Sequence, residues 1–190
     1  STYQLRETAS LIYDHPYTVS NEARAMRSRL LDMKGFLLNI IGEPSWDVEA
    51  VAKTLNQRYA MQFAAVEEIT EHYLGPAEDT AQLRAVMQDL ATTQSESLPI
   101  VLPMERAETM QYAEQYLYPK YDAVDAALTK IIDFADNKIQ GLEQRATDTA
   151  ELATASAVLL TVFLPAYFLF TMWRERKSMR EIQYRERLFD

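Results

Sequence analysis

Between Leu152 and Trp173 the chain reads LATASAVLLTVFLPAYFLFTMW, twenty-two residues without a charge, followed at once by Arg174, Glu175, Arg176 and Lys177. As a helix rising about 1.5 Å per residue it covers roughly 33 Å, enough for a hydrocarbon core of about 30 Å with modest tilt. A fully buried core helix seldom runs so long without a charge or ends in a basic cluster, so the stretch reads as a membrane span. The fifteen residues before it hold two basic side chains, Lys138 and Arg145, and the fifteen after it hold six. Basic flanks stay on the cytoplasmic side, which places residues 174–190 inside and residues 1–151 outside. Trp173 suits the inner headgroup region, and Pro165 predicts a kink in the span.

The remaining pattern is helical. Only four glycines occur, and cysteine is absent, which excludes disulfides and thiolate chemistry. Leu5, Ala9, Ile12, Pro16, Val19, Ala23, Met26, Leu30, Met33, Leu37 and Ile40 recur at alternating spacings of four and three, the seam of one helix about 60 Å long. The start of this seam without a capping residue points to an upstream continuation and an earlier span. Pro16 on the seam predicts a bend near His15. Gly42, Pro44 and Ser45 are expected to end this helix and cap the next, whose inward positions are Val48, Val51, Leu55, Tyr59, Gln62, Val66, Ile69 and Tyr73. Gly75 and Pro76 close it.

A third helix is expected over 77–117, with Leu83, Met87 and Leu90 inward and an interruption between Thr92 and Pro103. Tyr118 and Pro119 are expected to form the next turn. The last helix then carries Val124, Leu128, Ile131, Ala135, Ile139, Leu142 and Ala146 inward and runs into the span with no breaker between. The expected fold is all-α: an up-down-up-down four-helix bundle whose last helix continues into a transmembrane helix. The expected domains are an outer helical bundle, 1–151, a span, 152–173, and a cytoplasmic helical linker, 174–190, with Met179, Ile182 and Leu188 as seam residues.

Charge narrows the partners. Residues 1–152 carry 13 Lys and Arg against 24 Asp and Glu, so the outer part is acidic and nucleic acid is excluded as its partner. Neither a nucleophile with an adjacent base, nor a phosphate-binding glycine loop, nor a distinct carboxylate pair is present, so no enzyme is expected in this segment. Glu68 and His72, four apart, supply only two potential ligands, and a solvated helix face is the expected reading; no metal or cofactor is expected. His15 beside Pro16 is placed to use a carbonyl freed by the proline. The helix-three interruption leaves unpaired backbone and space, and simple antiparallel register sets it opposite Asn21 to Arg27. Tyr112, Tyr116, Tyr118 and Tyr121 with Arg106 and Lys120 read first as packing around a turn and second as a pocket lining. The candidate ligand-binding residues are therefore His15, Asn21, Arg24, Pro99, Arg106 and Tyr112.

The stretches LIYDHPYTVSNEARAMRSRLLDM and FADNKIQGLEQRA are similar to the first and last helices of a known family. The chain resembles the extracytoplasmic four-helix-bundle sensor module of bacterial transmembrane receptors, of the type found in sensor histidine kinases and diguanylate cyclases, and YRERLFD looks like the entry to a PAS or comparable cytoplasmic domain. The resemblance implies a homodimer in the bacterial inner membrane, residues 1–151 periplasmic or extracellular, taking a small-molecule or protein ligand there and signalling by displacement of the last helix. It carries over no ligand residue. The competing expectation is a membrane-anchored helical interaction protein with no output.

Overall fold

The computed structural model describes residues 2–40 and 47–186, with side chains described for 15–40 and 47–174; these residues hold helices and no strand. Helix α1 spans Thr2–Ile40, α2 Val48–His72 and α3 Ala77–Val101. A turn over 102–105 leads into α4, Arg106–Tyr112, which passes through a π-helical turn, Ala113–Leu117, directly into α5, Tyr118–Glu186. Because α4, the π turn and α5 follow one another without a break, the described residues make four helices. It divides into two compact units, Ser1–Gly141 and Leu142–Asp190.

The first unit is a four-helix bundle in which cross-helix contacts fix the direction of every neighbour. His15 meets His72, and Arg29 Nε donates to Gln62 Oε1 at 3.1 Å, so numbers fall along α2 as they rise along α1. Arg84 pairs with Glu67, Lys130 with Asp79, Lys120 with Asp89, and Arg24 with Asp136 in the same opposed sense. All neighbours are antiparallel, the arrangement that short connections force.

Its core is the set of seams the spacing predicts, except that Val48, expected inward, is 45% exposed and Tyr73 only half-buried. On α1, Val19, Ala23, Met26, Leu30, Met33, Leu37 and Ile40 are all buried; they meet Val51, Leu55, Val66 and Ile69 of α2, Leu83, Met87 and Leu90 of α3, and Val124, Leu128 and Ile131 of α5. Each fully buried apolar side chain contributes roughly 1.5–3 kcal/mol, which makes the interior the main source of stability. Helix α1 is unbroken through Pro16, which is buried. The seam positions Leu5, Ala9 and Ile12 lie outside the described side chains, as do Met179 and Ile182; Leu188 and the expected Gly42–Pro44–Ser45 stop lie outside the described residues. Asp47, rather than the expected Ser45, caps α2, its carboxylate accepting from Glu49 N at 3.2 Å.

Two expectations require correction. The turn between the third and fourth helices lies at 102–105, not at Tyr118–Pro119, and α3 continues unbroken from Thr92 through Pro99 to Val101. Pro119 is absorbed by the π turn: Tyr118 N–H donates to Ala113 O five residues back, and the widened turn accommodates a ring that clashes in a regular helix. Thr109 secures the true turn, its buried hydroxyl reaching Val101 O at 3.2 Å and Glu105 O at 3.1 Å. Secondly, Ile139 and Leu142 are only half-buried and Ala146 is exposed. The α2–α3 connection turns back beside Phe134 and Lys138, and the first unit ends at Gly141.

Within the second unit, α5 is unbroken through Pro165, and residues 151–170 are exposed throughout, Phe163 by 64%. Among the described residues this is one helix long and apolar enough, by length and composition, to cross a membrane.

Candidate ligand groove between the second and third helices

Alanines line both sides of a groove between α2 and α3. Ala52 and Ala60 on α2 and Ala91 on α3 are too short to fill the space between the helices, and a groove of about 430 Å³ remains. Leu55, Phe63 and Leu98 give it apolar walls, and Val48 and Pro99 stand at its end; Asn56, Tyr59, Gln94 and Ser95 supply the polar groups. Pro99 has no N–H to give the Ser95 carbonyl one helical turn back, and both residues line the groove. An apolar concavity with a few polar groups is the usual form of a small-molecule site.

Behind the groove, three helices share one buried polar cluster. Gln94 of α3 is 1% exposed, and its Oε1 accepts the hydroxyls of Tyr59 from α2 and of Tyr121 from α5, the latter at 3.0 Å. Burial pushes both phenols well above the usual tyrosine range, so they remain protonated donors at neutral pH. Both lone-pair directions of Oε1 are thereby used. The Nε2 of Gln94 has no hydrogen-bond partner among the described residues. Reversing the amide would only exchange the orphaned atom, since the two hydroxyls converge on one end. A buried polar atom left in this state costs about 1–3 kcal/mol, which marks Gln94 as more than filler.

The six residues selected from the sequence do not converge on this groove. Pro99 lines it. Tyr112 lies nearby on α4, its hydroxyl 3.1 Å from Ser97 Oγ and its ring 4.8 Å from Tyr116, while Arg106 is exposed at the start of α4. Asn21 is exposed on α1. Arg24 is engaged with α5: its Nη2 is 2.6 Å from Asp136 Oδ2, its Nη1 also reaches Ser20, and the pair holds the Asp136 carboxyl below its usual range. His15 stands at the other end of the bundle against His72. The antiparallel register also differs from the simple expectation: Leu98, Val101 and Leu102 lie against Lys34, Leu37 and Ile40, not against Asn21 to Arg27. Helix α2 ends at His72 beside His15, so α3 starts level with His15 and its end reaches the level of Ile40.

Gln94 was not among the sequence candidates, because Thr92 to Ser97 reads as a polar interruption. A signal existed: Leu83, Met87, Leu90, Gln94, Leu98 and Val101 continue the spacings of three and four, and Gln94 simply occupies a seam position. Comparison with protein families, with characterised proteins and with solved structures finds no match to this chain.

Proposed function

We propose that this chain is the ligand-sensing and signal-transmitting module of a bacterial transmembrane receptor of the sensor-kinase or diguanylate-cyclase type, working as a homodimer in the inner membrane with the bundle on the outer side. The observation that carries the reading is the helix Tyr118–Glu186, which includes Tyr121, Val124 and Leu128 of the bundle core and continues through the charge-free stretch to the basic residues beyond it. The helix is unbroken between these parts, Pro165 included.

The groove supplies the input. A small molecule seated between α2 and α3 lies against Gln94, and Gln94 is bonded to Tyr121 of α5. A ligand shifts the helices only if it binds their two arrangements with different free energy, and repacking this polar cluster is a means to that difference. The acidic outer surface and the apolar lining favour a neutral, largely apolar ligand over an anion.

The test uses the intact protein in its native membrane. Inserting two prolines after Gln144 should abolish ligand-dependent output while leaving the protein membrane-bound. Undiminished output would overturn transmission through α5. Sequencing the intact polypeptide past Asp190 tests the class: a kinase or cyclase domain there is the expected result, and a stop within a few residues would leave an anchored interaction bundle.

A further inference from the structure

We propose that His15, Glu68, Glu71 and His72 form a binding site for a divalent transition-metal cation of the zinc type, joining α1 to α2 at the end of the bundle where the α2–α3 turn lies. The sequence alone brings together only Glu68, Glu71 and His72, on one face of α2. The fold brings a second imidazole, His15 of α1, beside them, outside the group whose donor atoms already converge. The His15 and His72 rings stand edge to face with centroids 4.9 Å apart. Two imidazoles on one tetrahedral ion hold their centroids about 5 Å apart, since each metal–nitrogen bond is about 2.0–2.1 Å. Donor atoms of Glu68, Glu71 and His72 already lie within 4.8 Å of one another.

The second imidazole nitrogen is accounted for too. His72 Nδ1 is 2.9 Å from the Glu68 carbonyl oxygen, which can only accept, so Nδ1 carries the proton and Nε2 presents its lone pair. A backbone carbonyl holding the far nitrogen is the usual way a ligand histidine is oriented. An ordinary Glu68–His72 helix pair explains the 3.5 Å approach of those two side chains. The second imidazole comes from α1, at a separation that an edge-to-face ring contact adopts and that a shared ion would also use. Two imidazole nitrogens with carboxylate oxygens select zinc, cobalt or nickel over magnesium and calcium, which prefer all-oxygen sets. Glu68 and Glu71 are exposed and His15 and His72 half-buried, so an ion has access and the carboxylates can turn onto it. The metal site stands whether or not the bundle signals.

The test is a cobalt titration of the full chain in detergent micelles after chelator treatment. The expected result is one equivalent bound, with the intense visible absorption of low-coordinate cobalt, displaced by zinc and unaffected by excess magnesium. His15→Gln and His72→Gln should each weaken binding about tenfold or more. Glu68→Gln with Glu71→Gln, at exposed positions that leave the helices intact by circular dichroism, should weaken it likewise, whereas Glu96→Gln at the far end should not. Absence of saturable binding, or binding that survives in the double-histidine variant, would overturn the site.

Discussion

Gln94 of α3 and Tyr121 of α5, twenty-seven residues apart, are joined by a 3.0 Å hydrogen bond inside the bundle, and Tyr59 of α2 donates to the same oxygen. Replacing Gln94 by Leu fits the seam but strands two buried hydroxyls, at about 1–3 kcal/mol each. The expected loss is roughly 2–4 kcal/mol in denaturant unfolding, and adding Tyr59→Phe and Tyr121→Phe should recover a large part of it. A triple variant as unstable as Gln94→Leu alone would show that the cluster is not what holds these helices.

The Arg24–Asp136 pair is partly exposed, at 50% and 33% of the two side chains. Solvent screens such a pair, so a double-mutant cycle with Arg24→Ala and Asp136→Ala should yield a coupling of about 0.5–1 kcal/mol that shrinks in high salt.

Acid should destabilise the bundle in a defined window. Lys130, and after it the Tyr73 hydroxyl, hold the Asp79 carboxyl below its usual range, and Arg24 does the same for Asp136. A carboxyl whose folded value is depressed contributes stability that is fully present above the unfolded value, about 3.9, and is lost as pH falls through the folded one. Unfolding free energy should therefore hold steady above about pH 5 and decline below about pH 4. Asp79→Asn should flatten that decline, because Asp79 is buried with Lys130 Nζ 2.6 Å and Tyr73 Oη 2.7 Å away.

Core and surface leucines should separate cleanly. Leu128 is fully buried and Leu31 is 65% exposed. Leu128→Ala is expected to cost about 2–5 kcal/mol, and Leu31→Ala less than about 0.5 kcal/mol, by thermal unfolding in detergent.

Membrane insertion has its own test. Phe163 stands at the middle of the charge-free stretch. Phe163→Arg should raise the insertion cost by about 3 kcal/mol and increase the fraction released by alkaline extraction. Unchanged retention would count against spanning by this helix.

What the sequence by itself determined is what depends on local spacing. Seven-residue seams specify which face of each helix is apolar, and Val19 to Ile40 on α1 and Val124 to Ala135 on α5 are buried as that spacing requires. A charge-free run longer than a bilayer is likewise readable from composition. The tertiary structure decided which prolines end a helix. Pro99, Pro103 and Pro119 look alike in sequence, yet only Pro103 lies in a turn, because the burial of Leu98, Val101, Ala113 and Leu117 outweighs a penalty of about 3 kcal/mol at the other two. That choice set the register of α3 against α5, and the tertiary fold as a whole set the cross-helix meetings: Gln94 with Tyr59 and Tyr121, Arg24 with Asp136, His15 with His72. Such pairs join residues many turns apart in the chain, so no local periodicity contains them.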